Sequence, residues 1–274
     1  MVSKLISATK MIACVVFLMI LAGCERVPLM GIEEVTVIAD LAYEANPHLE
    51  FTVFISENGE YVPYLVLTDN YNSNTLLLRR YLLDELRYYY PNPTGTGGGA
   101  AYYGDSPLGH FLNDEFFYVF SDSLQYMIIN SDIEITARHS LRALADNELE
   151  IISRRVFLLS RYETGGRFGR FHNYMQEGVR LDFFSTRNRQ IAHRGDIARS
   201  WWLRTPHTAG RSGEAGIICN LGTHGRASVY TIVGVTRLGV RPAFCLPNDT
   251  PVSLGEFNGE YVFFIDYNED NSGL

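Results

Sequence analysis

The same five residues, Asn-Gly-Glu-Tyr-Val, occur near both ends of this 274-residue chain, beginning at Asn58 and at Asn258. Asn-Gly is the dipeptide best suited to a two-residue hairpin turn, because both turn positions need a positive φ. An apolar, strand-like run follows each copy, so each predicts a β-hairpin. The identity ends after the fifth residue, which argues against a duplicated domain. We expect two terminal hairpins whose strands meet in one sheet.

Between the hairpins, apolar runs predict further strands, the cap Ser106 followed by proline predicts one helix, and a second helical segment is expected at 121–129. Strands are expected at 75–81, 133–136, 156–160, 201–206, 215–220, 227–233 and 239–247. The run at 156–160 is uninterrupted, which predicts burial on both faces. Pro242 cannot donate to a ladder, so the last strand is expected at an edge or a bulge. Irregular structure with a helical piece at 171–185 is expected across residues 161–200.

The first 23 residues have the zones of a secretion signal. Lys4 and Lys10 precede an apolar run of twelve residues, Met11 to Ala22, while a helix needs about 20 to cross a bilayer. The small residues that follow lead directly into Cys24, which resembles the lipobox of bacterial lipoproteins. The resemblance implies cleavage before Cys24 and a diacylglyceryl anchor on its thiol. The alternative is an ordinary signal peptide followed by a chance cysteine.

These features divide the chain into four segments. They are a signal peptide at 1–23, a tether at 24–49, a domain at 50–248, and a C-terminal strand with an acidic tail at 249–274. Two acyl chains would hold the mature protein durably on the membrane, where one would bind only marginally. We therefore expect an extracytoplasmic protein, anchored by lipid to the bacterial cell membrane.

The charge of the chain is unevenly distributed. Both lysines lie in the signal, so the mature chain has none, which excludes Schiff-base and phosphate-loop lysine chemistry. Residues 154–211 carry a formal charge of +8 between a segment of −14 at 25–153 and one of −4 at 212–274. The basic middle indicates either an anion-binding face, for example for an acidic glycan, or arginines that pair with the chain's own acids. An acidic exported protein is not expected to bind nucleic acid.

Two cysteines, Cys219 and Cys245, remain in the mature chain besides Cys24. Both lie in apolar, strand-like surroundings and would experience an oxidising compartment. A disulfide between them and a pair of buried free thiols are the two alternatives. A chain of this length does not need a disulfide in order to fold.

The order of several segments is familiar. It resembles the bacterial domain of unknown function 6273 in the runs beginning at Tyr64, Leu76, Tyr103, Arg155, Trp201 and Gly239. That family is similar to the C-type-lectin-like fold group, which also contains the formylglycine-generating enzymes. The resemblance implies a single α+β domain with a twisted antiparallel sheet, a few helices and extensive irregular loops. It does not imply a mechanism, because a shared fold is weak evidence for function.

Four residues of the family signatures are the first candidates for ligand binding, since tryptophan and arginine dominate binding hot spots. They are Trp201, Trp202, Arg204 and Arg241. Their position on strands favours a structural role instead, in which an arginine pairs with a buried acid such as Glu163 or Asp196.

No catalytic constellation is recognisable in the sequence. The seven histidines lack zinc-ligand spacing, no HExxH or GxSxG pattern occurs, and the calcium motifs of C-type lectins are absent. We therefore expect no metal, cofactor or catalytic residue, and a surface protein that binds a carbohydrate or an envelope protein. The alternatives are a formylglycine-generating or cell-wall-modifying enzyme, for which exposed thiols at Cys219 and Cys245 would be the sign, and a structural envelope scaffold.

Overall fold

The computed structural model describes residues 35–43, 52–90, 102–141, 148–165, 175–206, 217–224, 229–232 and 236–266, without the side chains of 217–220 and 229–232. The chain divides into two compact units, Met1–Val35 and Thr36–Leu274. The predicted signal segment, Cys24 and the acidic tail after Asp266 lie outside the described residues. The fold given below is therefore that of the second unit.

A six-stranded sheet contains the first three and the last three strands of the described chain. In spatial order its strands are β11 (Ala243–Leu246), β3 (Asn74–Arg79), β2 (Glu60–Tyr71), β1 (Thr52–Glu57), β13 (Glu260–Ile265) and β12 (Val252–Phe257). Neighbouring strands run antiparallel, except that β1 and β13 run parallel, with Val53 beside Phe263. The sheet is mixed, so the fully antiparallel sheet implied by the resemblance is wrong at this pair.

The two predicted hairpins are confirmed, and their strands meet as expected. Asn58 and Gly59 have φ values of 50° and 87°, and Asn258 and Gly259 have values of 54° and 84°. Positive φ at both central positions is the type I′ geometry, whose twist matches that of the flanking strands. The hairpins β1–β2 and β12–β13 then join through the parallel pair.

The strand β11 lies at the other edge of the sheet and starts directly after Pro242. The edge position predicted from this proline is confirmed. Isolated bridges join Ile129 to Cys245 and Phe157 to Ala243 on the side of β11 that faces away from β3. The edge is thus covered by the chain itself, which removes a surface that would pair with other strands.

Among the described residues, three smaller sheets accompany the large one. They are β4 (Ser131–Thr136) with β5 (Leu149–Arg154), β6 (Ala192–Arg194) with β7 (Ile197–Arg199), and β8 (Trp201–Pro206) with β9 (Ile217–Leu221) and β10 (Val229–Ile232). All pairs in them are antiparallel.

Short helices connect these sheets. The α-helices are α1 (Pro107–Asp114), α2 (Asp122–Met127) and α3 (Arg187–Gln190), and 3-10 helices lie at Ile38–Leu41, Tyr103–Asp105, Phe116–Val119, Arg138–Leu141 and Asp182–Ser185. The Ser106 hydroxyl accepts a bond from the Gly109 amide at 3.0 Å, and that of Ser121 accepts one from Leu124 at 3.4 Å. Both predicted helices are confirmed, and a serine caps each of them. The described residues combine a mixed sheet and antiparallel sheets with a few short helices, so the α+β class is confirmed.

The strand predicted at 156–160 is wrong, although its burial is confirmed. All five residues are buried, but only Phe157 makes a ladder contact, the bridge to Ala243. Elsewhere side chains bind this backbone: the Tyr103 hydroxyl accepts from the Leu158 amide at 3.1 Å, and Arg204 donates to the Leu158 carbonyl at 2.9 Å. An apolar run therefore predicts burial more reliably than it predicts a strand. Here side chains form the backbone hydrogen bonds that a neighbouring strand was expected to form.

The helical piece predicted at 171–185 is confirmed only at its C-terminal end. Residues 175–181 have no helical structure, and only the 3-10 helix Asp182–Ser185 follows. Residues 171–174 lie outside the described residues. Gly178 and Val179, in this non-helical segment, line a cleft.

The folded unit extends beyond both predicted domain limits. Ile38 and Leu41, in the segment predicted as a tether, are fully buried, and the Ile38 amide donates to the Thr250 carbonyl at 2.8 Å. At the other end, β12 and β13 belong to the central sheet. The compact unit therefore begins at Thr36, inside the predicted tether, and includes the strands predicted to follow the domain.

Candidate functional site

The interior of the domain holds a fully buried arginine. Arg204 lies in β8, and neither its side chain nor that of Glu163 is exposed. Its Nη1 donates to Oε2 of Glu163 at 2.7 Å and its Nη2 donates to Oε1 at 2.8 Å. This bidentate arrangement is the strongest that an arginine forms with a carboxylate. The sequence suggested Glu163 as one of two partners, and this pair is confirmed.

A second buried carboxylate, Glu177, lies against the same arginine, with its Oε2 3.9 Å from Nε of Arg204. Its Oε1 accepts bonds from the amide and the hydroxyl of Thr136 at 2.8 and 2.7 Å, and its Oε2 accepts from the Thr205 hydroxyl at 2.5 Å. Burial raises the pKa of Glu177 above its ordinary value, against the opposing effects of Arg204 and the two threonines. Burial alone would lower the pKa of Arg204, but the attraction of Glu163 raises it above the ordinary value.

Tyr71 links this network to the surface of the molecule. Its hydroxyl donates to Oε1 of Glu163 at 2.7 Å, and its ring stacks on Phe157 with 5.7 Å between centroids. Burial and the neighbouring Glu163 carboxylate raise the pKa of this tyrosine well above its ordinary value. Tyr71 therefore stays protonated and keeps donating to Glu163.

The network also terminates the free edge of β4. The backbone carbonyl of Asp132 accepts from Nδ2 of Asn72 at 2.6 Å, that of Glu134 accepts from Nε of Arg204 at 3.0 Å, and the Thr136 amide donates to Glu177. Alternate residues of an antiparallel strand direct their backbone groups away from the partner strand. Side chains take the place of the neighbouring strand at all three positions, so the sheet stops here and a cleft begins.

Gly178 is the residue that allows the chain to pass over the buried pair. Its φ is +75°, and a Cβ atom at this position would lie 2.3 Å from Oε1 of Glu163. Its amide donates to Oε2 of Glu134 at 2.9 Å. A side chain at this position would displace Glu163, so only glycine fits.

A cleft of about 540 Å³ lies beside this network. It is lined by Asn70, Asn72 and Asn74, at and beside the turn between β2 and β3, and by Gly178 and Val179. The remaining wall residues are Tyr71, Ile129, Asn130, Ser131, Asp132, Glu134 and Ile151. We call this surface the asparagine cleft. Four carboxamides together with small apolar groups offer paired donors and acceptors next to apolar contact area.

The turn that presents these amides is held in a defined conformation. Asn72 and Ser73 have φ values of 52° and 62°, and asparagine is among the few residues that adopt this region readily. Nδ2 of Asn74 donates to the Asn72 carbonyl at 2.8 Å. The wall of the cleft is therefore fixed before any ligand arrives, which lowers the entropic cost of binding.

The residues that line the cleft include two acids and, within the described part of the chain, no basic residue. Oδ1 of Asp132 accepts from the Ser153 hydroxyl at 2.5 Å, and Glu134 is held by the Gly178 amide. The cleft thus carries a negative formal charge, opposite to the anion-binding face that the basic middle of the sequence suggested.

Comparison with protein-family models gives one match, to the family described as "Domain of unknown function (DUF6273)", over residues 72–248. The match covers well over half of the chain. The chain belongs to this family. No curated protein matches the chain, and no solved structure matches it.

The DUF6273 segment contains the buried network and most of the cleft, but not the two terminal hairpins. The match starts at residue 72, inside the turn after β2, and ends at residue 248, before β12. Four strands of the central sheet, β1, β2, β12 and β13, therefore lie outside it. This protein completes the sheet of its family domain with strands from both flanks.

The four residues first considered for ligand binding lie in the core of the DUF6273 segment. Trp201 and Trp202 are fully buried and donate from Nε1 to the carbonyls of Gln190 and Arg87 at 3.1 and 2.8 Å. Arg241 is 2% exposed, donates from Nε to the Arg79 carbonyl at 2.9 Å, and lies 5.3 Å from the Trp201 ring. Neither these residues nor Arg204 line the asparagine cleft.

The sequence does not indicate the cleft residues, because the segment 68–74 has the composition of an ordinary polar loop. A usable signal was present in Asn70-Tyr-Asn-Ser-Asn74, where three asparagines alternate with other residues in a tight turn. This turn lies beside Asp132 and Glu134, about 60 positions away along the chain. No sequence pattern indicated that proximity.

Cys245 is a buried free thiol. Burial raises its pKa to about 12, so the sulfur is protonated near neutral pH and is a poor nucleophile. Cys219 belongs to β9 in the three-stranded sheet, whereas Cys245 belongs to β11 in the central sheet. The side chain of Cys219 lies outside the described residues. The alternative of a disulfide at Cys245 is thus not realised in this structure.

The arginines of the basic middle contact different parts of the domain. Arg204 pairs with Glu163 and Glu177, which belong to the same segment and not to the acidic ends. Arg154 donates to the Gly104 carbonyl at 2.7 Å, and Arg189 stacks on Tyr43. Asp196, the other acid proposed as a partner of a core arginine, is exposed in the turn between β6 and β7.

No three His, Cys, Asp or Glu side chains among the described residues come close enough together to hold a metal ion. No helix among them has the length and apolarity needed to cross a bilayer.

Proposed function

We propose that this protein is a lipid-anchored, extracytoplasmic binding protein whose C-type-lectin-like DUF6273 domain takes a carbohydrate into the asparagine cleft without catalysing a reaction. The observation that carries the proposal is the grouping of four asparagine side chains, Asn70, Asn72, Asn74 and Asn130, around one cleft. A carboxamide donates and accepts at adjacent atoms. It therefore matches the neighbouring hydroxyl groups of a sugar, each of which also donates and accepts.

The size and character of the cleft agree with this ligand class. At about 540 Å³ it falls in the range of small-molecule sites and has room for one or two sugar rings. Ile151 and Val179 are 67% and 55% exposed on its walls. They supply apolar area for contact with the C–H faces of a sugar, while the amides form hydrogen bonds with its hydroxyl groups.

The buried carboxylates beside the cleft support a structural role over a catalytic one. Both oxygens of Glu163 and both oxygens of Glu177 accept hydrogen bonds from Arg204, Tyr71, Thr136 or Thr205. A general acid or base must reach the substrate with a free oxygen. These two acids instead hold the cleft walls in place.

The lipid anchor and the export signal complete the proposal. They rest on the leader sequence before Cys24, and they would place the cleft on the outer side of the cell membrane, where envelope glycans are found.

A glycan array tests the proposal with the full chain, solubilised from membranes. We expect binding to a subset of glycans, and a loss of at least about tenfold in affinity when Asn70 and Asn130 are both replaced by alanine, because two ligand hydrogen bonds are removed. Asn188→Ala is the matched control, since Asn188 is exposed on α3, away from the cleft. The absence of glycan binding, or equal binding by the double cleft variant, would refute the proposal. Binding to an envelope protein instead would favour a protein-recognition role.

A further inference from the structure

We infer that the asparagine cleft selects a sugar carrying a free amino group over its N-acetylated and acidic counterparts. The inference rests on the proposed function and names the ligand class of that same site. It follows from the charges of the cleft and from how the two carboxylates are held.

Asp132 and Glu134 lie two positions apart on β4, so their side chains leave the same face of the strand. Asp132 is exposed and Glu134 is half-buried. Each has one oxygen fixed by a hydrogen bond, Oδ1 of Asp132 by Ser153 and Oε2 of Glu134 by Gly178. The second oxygen of each accepts no hydrogen bond from a residue that the structure describes. Two oriented acceptors thus remain for a ligand.

Two arginines that contact β4 or its partner strand bind other groups instead of these two carboxylates. Arg154 lies opposite Ser131 in the β4–β5 ladder, but it donates to the carbonyls of Ser153 and Gly104. The guanidinium of Arg204 is bound to Glu163 and reaches only the backbone carbonyl of Glu134. The negative charge of the cleft therefore remains available to interact with a ligand.

An ammonium group satisfies this arrangement better than any uncharged substituent. It has three donors and no acceptor, and it meets two carboxylate oxygens with charge-assisted hydrogen bonds. An acetylated amine loses the charge and two donors, and a carboxylated or phosphorylated sugar is repelled. The four asparagines contact the ring hydroxyls in every case, so they supply affinity while the acids supply the preference.

Calorimetric titration of the full chain with three oligosaccharides tests this preference. The probes are a glucosamine tetramer, the corresponding N-acetylglucosamine tetramer and a galacturonate tetramer. We expect the glucosamine tetramer to bind about tenfold more tightly than its acetylated form, as two partly exposed charge contacts allow. The preference should shrink as ionic strength rises, because salt screens exposed charges. The galacturonate tetramer should bind most weakly.

Asp132→Asn combined with Glu134→Gln should remove the preference while retaining binding to the acetylated tetramer. Asp196→Asn is the control, since Asp196 is an exposed acid in the turn between β6 and β7, outside the cleft. Equal binding of the amino and acetylated tetramers by the wild-type protein, or an unchanged preference in the double variant, would overturn the inference and leave the proposed function standing. Failure to bind any of these sugars, or any glycan on the array, would overturn both.

Discussion

At Gly178 the backbone passes close to the buried pair of Arg204 and Glu163. With φ at +75° and a Cβ position 2.3 Å from the Glu163 carboxylate, the Gly178→Ala variant combines backbone strain with a clash. We expect a loss of about 3 kcal/mol in the free energy of unfolding, measured by urea denaturation.

Gly195 supplies the matched control, because its φ is +56° and nothing lies within 4 Å of its Cβ position. Gly195→Ala should therefore show the backbone strain alone, about 1 kcal/mol. Similar losses for the two variants would mean that Glu163 moves freely away from position 178, contrary to the packing described for the buried network.

Glu177 gives the protein a pH-dependent component of stability. Burial raises the pKa of this carboxyl in the folded state, so the unfolded chain releases the proton at a lower pH than the folded chain does. The contribution of Glu177 is thus fully present below its ordinary pKa of about 4.3 and is lost as the pH rises through the folded-state value.

Glu177→Gln removes this titration while retaining the shape of the side chain. We expect the free energy of unfolding of the wild type, minus that of the variant, to fall between pH 4 and pH 8. Each unit of pKa shift corresponds to about 1.4 kcal/mol. Urea denaturation of both proteins across this range measures the difference. A difference that grows with pH would show that Arg204 lowers the pKa of Glu177 more than burial raises it.

At the residue scale, the sequence predicted the buried ion pair better than it predicted the residues of the asparagine cleft. Glu163 was one of two partners suggested for a core arginine, because an arginine on an apolar strand commonly pairs with a buried acid. The asparagines of the cleft could not be assigned, since a polar turn looks alike whether it faces solvent or another element. Their significance depends on long-range proximity to Asp132 and Glu134.

The two hairpins are the elements that the sequence predicted most completely. Their turns carry the same five residues, and the turn chemistry is local. By contrast, the buried run at 156–160 gave a wrong strand, because the side chains that satisfy its backbone, Tyr103 and Arg204, come from distant parts of the chain. Local rules predict an element reliably where its hydrogen bonds are also local.

The shared turn also tests whether the C-terminal hairpin belongs to the same cooperative unit as the DUF6273 segment. Asn58→Ala and Asn258→Ala each place alanine at a φ near +50°, so each should lower the free energy of unfolding by about 1 kcal/mol. Guanidinium denaturation should show one transition for both variants. Asn58→Gly and Asn258→Gly are the controls, because glycine adopts this conformation without strain.

Equal effects are expected because β1 and β13 are paired in the centre of one sheet. If Asn258→Ala left the main transition unchanged or produced a separate early one, β12 and β13 would be an appendage that folds independently. The family match alone, which ends at residue 248, does not distinguish these cases.

At the scale of the whole molecule, the family and the α+β class were accessible from the order of a few apolar signatures, while the limits of the folded unit were not. Residues 36–43 were assigned to a tether because they are short and weakly patterned. Their burial arises from contact with residues 66 and 248–252, which lie next to them only after the sheet has formed. Domain limits depend on such tertiary contacts, and a single sequence does not display them.

The remaining property of the whole molecule is its attachment to the membrane through Cys24. Cys24→Ser should abolish incorporation of radiolabelled palmitate and move the protein from the membrane fraction to the soluble fraction, because each buried methylene of an acyl chain contributes about 0.8 kcal/mol to membrane affinity. Cys14→Ser is the matched control: it changes the cysteine inside the leader, which would be removed with the signal, so labelling and fractionation should be unchanged. Membrane association that persists in Cys24→Ser without palmitate would show that another segment holds the protein, and the proposed anchor would have to be abandoned.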